Sequence, residues 1–189
     1  MQSCGSVRPL FGGAMSALIP HGAKDVSELR EIPDNQEVFA HAGTDQSLIV
    51  ELVEYQAQVA DQDAASYHFL DIAGSNKASE PGSSSITSVV SLSRQDVSLT
   101  QCSSAWMLSG AQCVSKFNEE AKNSVTIHLG LFRLPQFSTD VLVTFNDPQT
   151  ISSESSSAPA AGKHEEAWTV MDFQDLLKSI TLHDTGLFG

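Results

Sequence analysis

The side chains able to do chemistry in this chain are mostly carboxylates. Glu51 and Glu54, three residues apart, could in principle divide general-acid and general-base work. That use requires a cleft that desolvates one of them and raises its pKa; on an exposed surface both stay ionised and serve as charge. The six histidines, His21, His41, His68, His128, His164 and His183, are scattered. His164 beside Glu165 and Glu166 comes nearest to a metal-ligand cluster, but it sits in a Ser-, Ala- and Pro-rich stretch. Neither HExxH nor a Cys/His quartet at zinc spacing occurs. There is no GxxxxGK[ST] phosphate loop, no GxGxxG and no Gly-x-Ser-x-Gly elbow. The three cysteines, Cys4, Cys102 and Cys113, form no CxxC pair, and an odd count suits reduced thiols in an intracellular chain. The expectation is a binding module without catalytic residues, cofactor or metal.

Charge gives that module its character. The chain carries 23 acidic and 10 basic residues, a net charge of −13. Such a field repels phosphates, which disfavours nucleic acid and anionic membrane as direct partners. No apolar run approaches the ~18 residues of a membrane-spanning helix. Eleven acids lie between Asp25 and Asp71 against the single base Arg30, so −10 of the net −13 falls in a quarter of the chain. Two readings follow: a solvated face that keeps the protein soluble, or a docking surface for a basic partner.

The elements that must carry these charges are read from periodicity and punctuation. Ala14–Ile19 reads as a strand stopped by Pro20 and Gly22. Asp25 caps a short helix that Pro33 forbids from continuing. Gln36–His41 is a second strand. Thr44 is then expected to cap a longer helix, because Leu48, Leu52, Tyr55 and Val59 recur at helical spacing. On that helix Glu51 and Glu54 share an outward polar stripe with Ser47, Gln58 and Asp61. Ala64–Ile72 reads as a helix ending at Gly74, with Tyr67, Phe69 and Leu70 as core. Ile86–Leu92 is a strand, and Ala105–Ser109 with Cys113–Phe117 forms a hairpin around Gly110. Ser124–Leu134 is a strand with Val125, Ile127, Leu129 and Leu131 on one face and Thr126, His128 and Phe132 on the other. Thr139–Phe145 returns beside it. The last helix spans Trp168–Ile180, with Met171, Leu176, Leu177 and Ile180 as core. Mobile loops are expected near 74–85 and 147–163, and residues 1–9 as a flexible end. Strands joined by hairpins with helices early and late predict an α+β domain, an antiparallel sheet covered by helical layers, in one unit over 10–189.

Several blocks resemble the Ran guanine nucleotide release factor family. They are Leu10-Phe11-Gly12-Gly13-Ala14, Gly22-Ala23-Lys24-Asp25-Val26-Ser27-Glu28-Leu29-Arg30 and Pro33-Asp34-Asn35-Gln36-Glu37-Val38. Thr44 through Leu52, Arg133-Leu134-Pro135-Gln136-Phe137 and Leu182-His183-Asp184 complete the set. The resemblance implies a PsbP-like fold, binding to the small nuclear GTPase Ran and release of its guanine nucleotide, with residence in nucleus and cytoplasm. It also implies a link to surface delivery of a voltage-gated sodium channel, so a non-catalytic trafficking adaptor is the alternative function. The family's acidic pair falls on Glu51 and Glu54, and its acidic loop and strand start on Asp34, Asn35, Gln36 and Glu37. Asp25 and Arg30 match the short helix before them, and Asp45 completes the expected Ran-binding set. Leu70 stands where relatives often carry Glu. Asp25 and Glu28 have a competing role as helix caps, and Asp34 and Asn35 as turn formers. A monomer is expected.

Overall fold

The computed structural model describes residues 5–75, 83–115, 122–150 and 166–188. The chain runs β1 (Ser6–Leu10), β2 (Met15–Ile19), β3 (Ala23–Asp25), β4 (Gln36–His41), β5 (Ser47–Glu54) and α1 (Asp61–Ser75). It continues through β6 (Ser84–Leu92), β7 (Ser104–Ser115), β8 (Lys122–Leu134), β9 (Thr139–Thr150), α2 (Val170–Ser179) and β10 (Thr181–Leu182). Seven strands form one antiparallel sheet in the order β3-β4-β5-β9-β8-β7-β6, and β1-β2-β10 form a second, small one. The pairing of β5 with β9 joins an early meander to a late one, with Ser47 opposite Asn146 and Glu54 opposite Thr139.

The large sheet buries both faces, as an antiparallel sheet between two layers must. On one side α1 sets Ala64, Ala65 and Phe69 on Leu108, Ile127, Leu129, Leu131 and Leu142. On the other, α2 brings Phe173, Leu176 and Leu177, and the small sheet brings Leu10, Met15, Ala17 and Ile19, onto Phe39, Leu48, Val50, Phe132, Val141, Val143 and Phe145. The α+β sandwich is thus as expected from sequence. The small sheet filling half of the second layer was not expected, and Ser6–Leu10 forms a strand where a flexible end was expected.

Two glycines let the helices approach. A Cβ on Gly110 would lie 2.5 Å from the Ser85 carbonyl oxygen and 2.8 Å from Cζ of Phe69 on α1. A Cβ on Gly130 would lie 2.3 Å from Leu177 Cδ2 on α2. Gly110 therefore does not turn a hairpin. It sits within the continuous strand β7, opposite Ile127.

The largest difference from the sequence reading is the segment after Thr44. No helix forms there. The Thr44 hydroxyl accepts from the Gln46 amide at 3.1 Å inside a tight turn, and Ser47–Glu54 is a central strand. The run Leu48-Ile49-Val50-Glu51-Leu52-Val53 is apolar on both alternating faces, the signature of a strand covered from both sides. Helical spacing within it is incidental. Met171 is 69% exposed, because the Thr169 cap sets the phase of α2 so that Phe173, Leu176 and Leu177 point inward. Tyr67 and Leu70 face solvent, leaving Phe69 as the inward aromatic of α1. Gly74 and residues 84 and 85 belong to α1 and β6, and 147–150 to β9; the intervening parts of both expected loops, 76–82 and 151–163, lie outside the described residues.

α2 also presses on His128. Its ring lies 5.7 Å from Phe145 and 6.2 Å from Phe173, and its Nδ1 shares a 2.7 Å hydrogen bond with Ser109 Oγ. Burial lowers the imidazole pKa below the ordinary value of 6.5, with Asp147 opposing. A depressed folded-state pKa leaves full stability above the unfolded value and loses it as pH falls through the folded value. Two outcomes are expected. Gly110→Ala lowers the urea midpoint by the equivalent of about 1–3 kcal/mol, the usual result of overpacking. In wild type the thermal midpoint falls as pH drops from about 6.5 towards 5; His128→Gln flattens that fall, and an equally steep profile in the variant would place the titration elsewhere.

Candidate functional site

The β4–β5 hairpin gathers most of the expected residues at one end. Gln36 is the cross-strand partner of Glu51, and Glu37 of Val50. Before β4, Asp34 and Asn35 make the turn after Pro33. Asn35 is held to β5 by two bonds: its carbonyl accepts from the Leu52 amide at 2.9 Å, and its Nδ2 donates to the Leu52 carbonyl at 2.9 Å. Glu54 closes the strand opposite Thr139, exposed. Asp25, opposite Phe39 on β3, accepts from the Ser27 amide at 2.9 Å and so caps the short 3-10 turn Val26–Glu28, as its sequence context predicted. Arg30 follows that turn, exposed, in a loop that also carries the exposed Glu28 and Glu31. Asp45 does not join this group. It sits in the turn at the opposite end of β5, at about 3.3 Å per strand residue from Glu54.

Glu51 and Glu54 do not share a face. On a strand, residues three apart point to opposite sides. Glu51 lies with Ile49 and Val53 on the α1 side, half-buried beside a shallow groove lined by Ile49, Ile72, Leu142, Thr144 and Asn146. Its carboxylate accepts a hydrogen bond from Gln36 Nε2. Glu54 lies with Leu48, Val50 and Leu52 on the side of the small sheet. Glu37 shares that side, and its Oε1 accepts from the Phe11 amide at 2.8 Å. Each therefore has a structural tie or an open surface of its own, and the pair is not positioned as a catalytic dyad.

Among the described residues, ion pairs involve only His68, Asp140, Arg133 and Asp61. None of Asp34, Glu37, Glu51 or Glu54 faces an internal cation. Nor does any group of three metal-ligating side chains occur among the described residues. His164 and Glu165 lie outside them. Cys102 is buried, and burial pushes its thiol pKa up despite Arg94, so it is no nucleophile.

A residue that drew attention only as part of a familiar block organises the site. Arg133 is fully buried, with Nη2 donating to Gln56 O at 2.7 Å and Nη1 donating to Val59 O at 2.7 Å and Asp61 Oδ1 at 2.9 Å. Its Nε meets Asp140 Oδ1 at 3.4 Å, and its guanidinium lies 4.3 Å from the Tyr55 ring centroid. It thereby ties down the loop that begins one residue after Glu54. The sequence signal was a charged residue within the apolar run Leu129–Leu134.

A model of the family described as the Ran-interacting Mog1 protein matches residues 8–148. The chain belongs to the Mog1 family. The Ran guanine nucleotide release factor of Danio rerio is 61% identical over 96% of this chain and 99% of its own length. That of Homo sapiens is 48% identical over 96% and 95%. The crystal structure of the Saccharomyces cerevisiae Ran-binding protein Mog1p superimposes with a TM-score of 0.74, covering 100% of both chains at 23% identity, so the two share the fold. As a Mog1 fold, this one places its acids at the open end of the β4–β5 hairpin and buries its arginine beneath them.

Arg133→Leu is expected to cost about 3–5 kcal/mol in urea denaturation, because Asp140 is left buried without its cation and two loop carbonyls lose their donor. A loss under 1 kcal/mol would show that the network contributes little to folding.

Proposed function

We propose that this chain binds the GTPase Ran through the acidic end of its β4–β5 hairpin and promotes release of the bound guanine nucleotide. The observation that carries the reading is a cluster of carboxylates, Asp34, Glu51 and Glu54 foremost, without a cation partner among the described residues, at one sheet end of a Mog1-family chain. The names of relatives matched over 96% of the chain support Ran as the partner. Asn35 and Gln36 act by position: one locks the turn, and the other orients Glu51. Glu37 holds Phe11, Asp25 caps its turn, and Arg30 follows that turn, exposed. Asp45, at the far end, belongs to the same surface only if the partner extends along the whole hairpin.

No covalent chemistry is needed. A release factor works by binding the nucleotide-free GTPase better than the loaded one, and by linkage it weakens nucleotide binding by the factor that nucleotide weakens its own. Carboxylates that draw basic groups of the GTPase away from phosphate would supply that difference. Their field also speeds the encounter and makes it salt-sensitive. The same reading takes the chain to be a monomeric single domain resident in nucleus and cytoplasm.

The test loads purified Ran with a fluorescent GTP analogue and adds the chain with excess unlabelled nucleotide. Wild type is expected to accelerate signal loss. Asp34→Lys with Glu54→Lys is expected to weaken Ran binding by several kcal/mol through like-charge contact. Its thermal midpoint should hardly move, since both side chains are exposed. An unaltered release rate with wild type would instead favour the adaptor reading, in which the acidic surface binds basic cytoplasmic segments of a channel.

A further inference from the structure

Beside the acids, on the small-sheet side, lies an aromatic patch that charge alone does not explain. Phe11, Phe137, Leu187 and Phe188 are half-buried, and each packs against the core that α2 and the small sheet share. The rings of Phe137 and Phe188 stack with centroids 4.8 Å apart and planes 18° apart. Two of the three connections that present these rings hold left-handed backbone at residues other than glycine, Phe11 at φ 53° and Ser138 at φ 51°. For a bulky residue such as Phe11 that conformation is a genuine outlier and is strained.

The strain is held in place from the acidic side. The Phe11 amide is gripped by Glu37 at 2.8 Å. The Ala14 carbonyl, closing the Phe11–Gly13 turn, accepts from the amides of His183 at 2.8 Å and Asp184 at 3.1 Å, which fixes the C-terminal segment carrying Phe188. The Ser138 carbonyl accepts from the Tyr55 amide at 3.0 Å, which ties Phe137 to the residue after Glu54. Glu37, Glu54 and the exposed Asp184 thus belong to, or adjoin, the segments bonded to those that carry the rings. An apolar centre of aromatic side chains within a charged rim is the anatomy of a protein-binding hot spot.

We propose that Phe11, Phe137 and Phe188 form the apolar anchor of the Ran interface, receiving an aliphatic side chain of the GTPase that is flanked by lysine or arginine. This rests on the functional reading above. The acids match the flanking bases and the rings match the aliphatic group, so the patch adds strength and fit where the carboxylates add attraction.

The experiment titrates nucleotide-free Ran with wild type, Phe188→Ala, Phe137→Ala and Glu54→Lys at several salt concentrations. The aromatic truncations are expected to weaken binding about tenfold with an unaltered salt slope. Glu54→Lys should weaken it and change the slope. Wild-type affinity in Phe188→Ala and Phe137→Ala, with wild type itself binding, overturns the anchor and leaves the functional reading standing. Failure of wild type to bind Ran overturns both. Should the truncations unfold, amide exchange in the wild-type complex decides: slowed exchange over 12–14 and 185–188 supports the anchor, and unchanged exchange there overturns it.

Discussion

The buried guanidinium of Arg133 is the constraint on which the acidic end depends. Taking a charge out of water is costly unless its hydrogen bonds are met, and here the fork donates to two loop carbonyls, the first carboxylate of α1 and the cross-strand Asp140. Asp140 in turn contacts His68 of α1 at 3.3 Å. One side chain therefore connects β8, β9, the 55–60 loop and the start of α1. Asp61 is half-exposed, with 47% of its side chain accessible, so its share of the stabilisation is screened by water. The two carbonyl bonds and Asp140 are enclosed and carry more of it.

That anchorage matters because charge on a floppy loop loses entropy when it binds. Glu54 ends a strand paired along its whole length with β9, and the residues after it are bonded to Arg133. Asn35 is doubly bonded to Leu52, and Gln36 holds Glu51. The acids are thus presented on a rigid frame, so the cost of ordering them is met in folding rather than in complex formation. Their mutual repulsion destabilises the fold somewhat, and the buried layers on both sides of the sheet offset it.

Much of this was legible before the structure. β4, β8 and the faces of β8 follow from alternation, because the two-residue periodicity at Val125–Leu131 has no helical counterpart. The Asp25 cap followed from its chemistry. β5 was misread because a strand covered on both faces shows apolar residues at every spacing, including the helical one; only burial in the sheet distinguishes the two. The resemblance supplied Glu51 and Glu54 as positions without their backbone, and the helix expected there came from spacing alone. Arg133 and the aromatic residues Phe11, Phe137 and Phe188 were missed because their roles come from contacts across as many as 170 positions of sequence, such as the bond from the Asp184 amide to the Ala14 carbonyl. Phe11 gave no local sign beyond its place in the block Leu10-Phe11-Gly12-Gly13-Ala14.

The strand geometry changes what the acidic pair can do. On a helix, Glu51 and Glu54 would offer one stripe to one basic surface. On β5 they point to opposite sides of the sheet, so a partner that engages both must approach the end of the hairpin and straddle it. Asp34 and Asn35 form the tip that such a partner would meet first, with Glu37 and the aromatic rings to one side and the groove beside Glu51 to the other. End-on docking of this kind fits a role in which the factor inserts itself between elements of a GTPase better than it fits flat adhesion to its surface. It also makes the two sides unequal. Glu51, half-buried and already bonded to Gln36, must give up part of its present satisfaction to bind a cation, whereas Glu54 gives up only water. On the proposed docking, Glu54 and Asp34 would dominate the first encounter, and Glu51 would contribute after the partner had closed over the groove and excluded solvent.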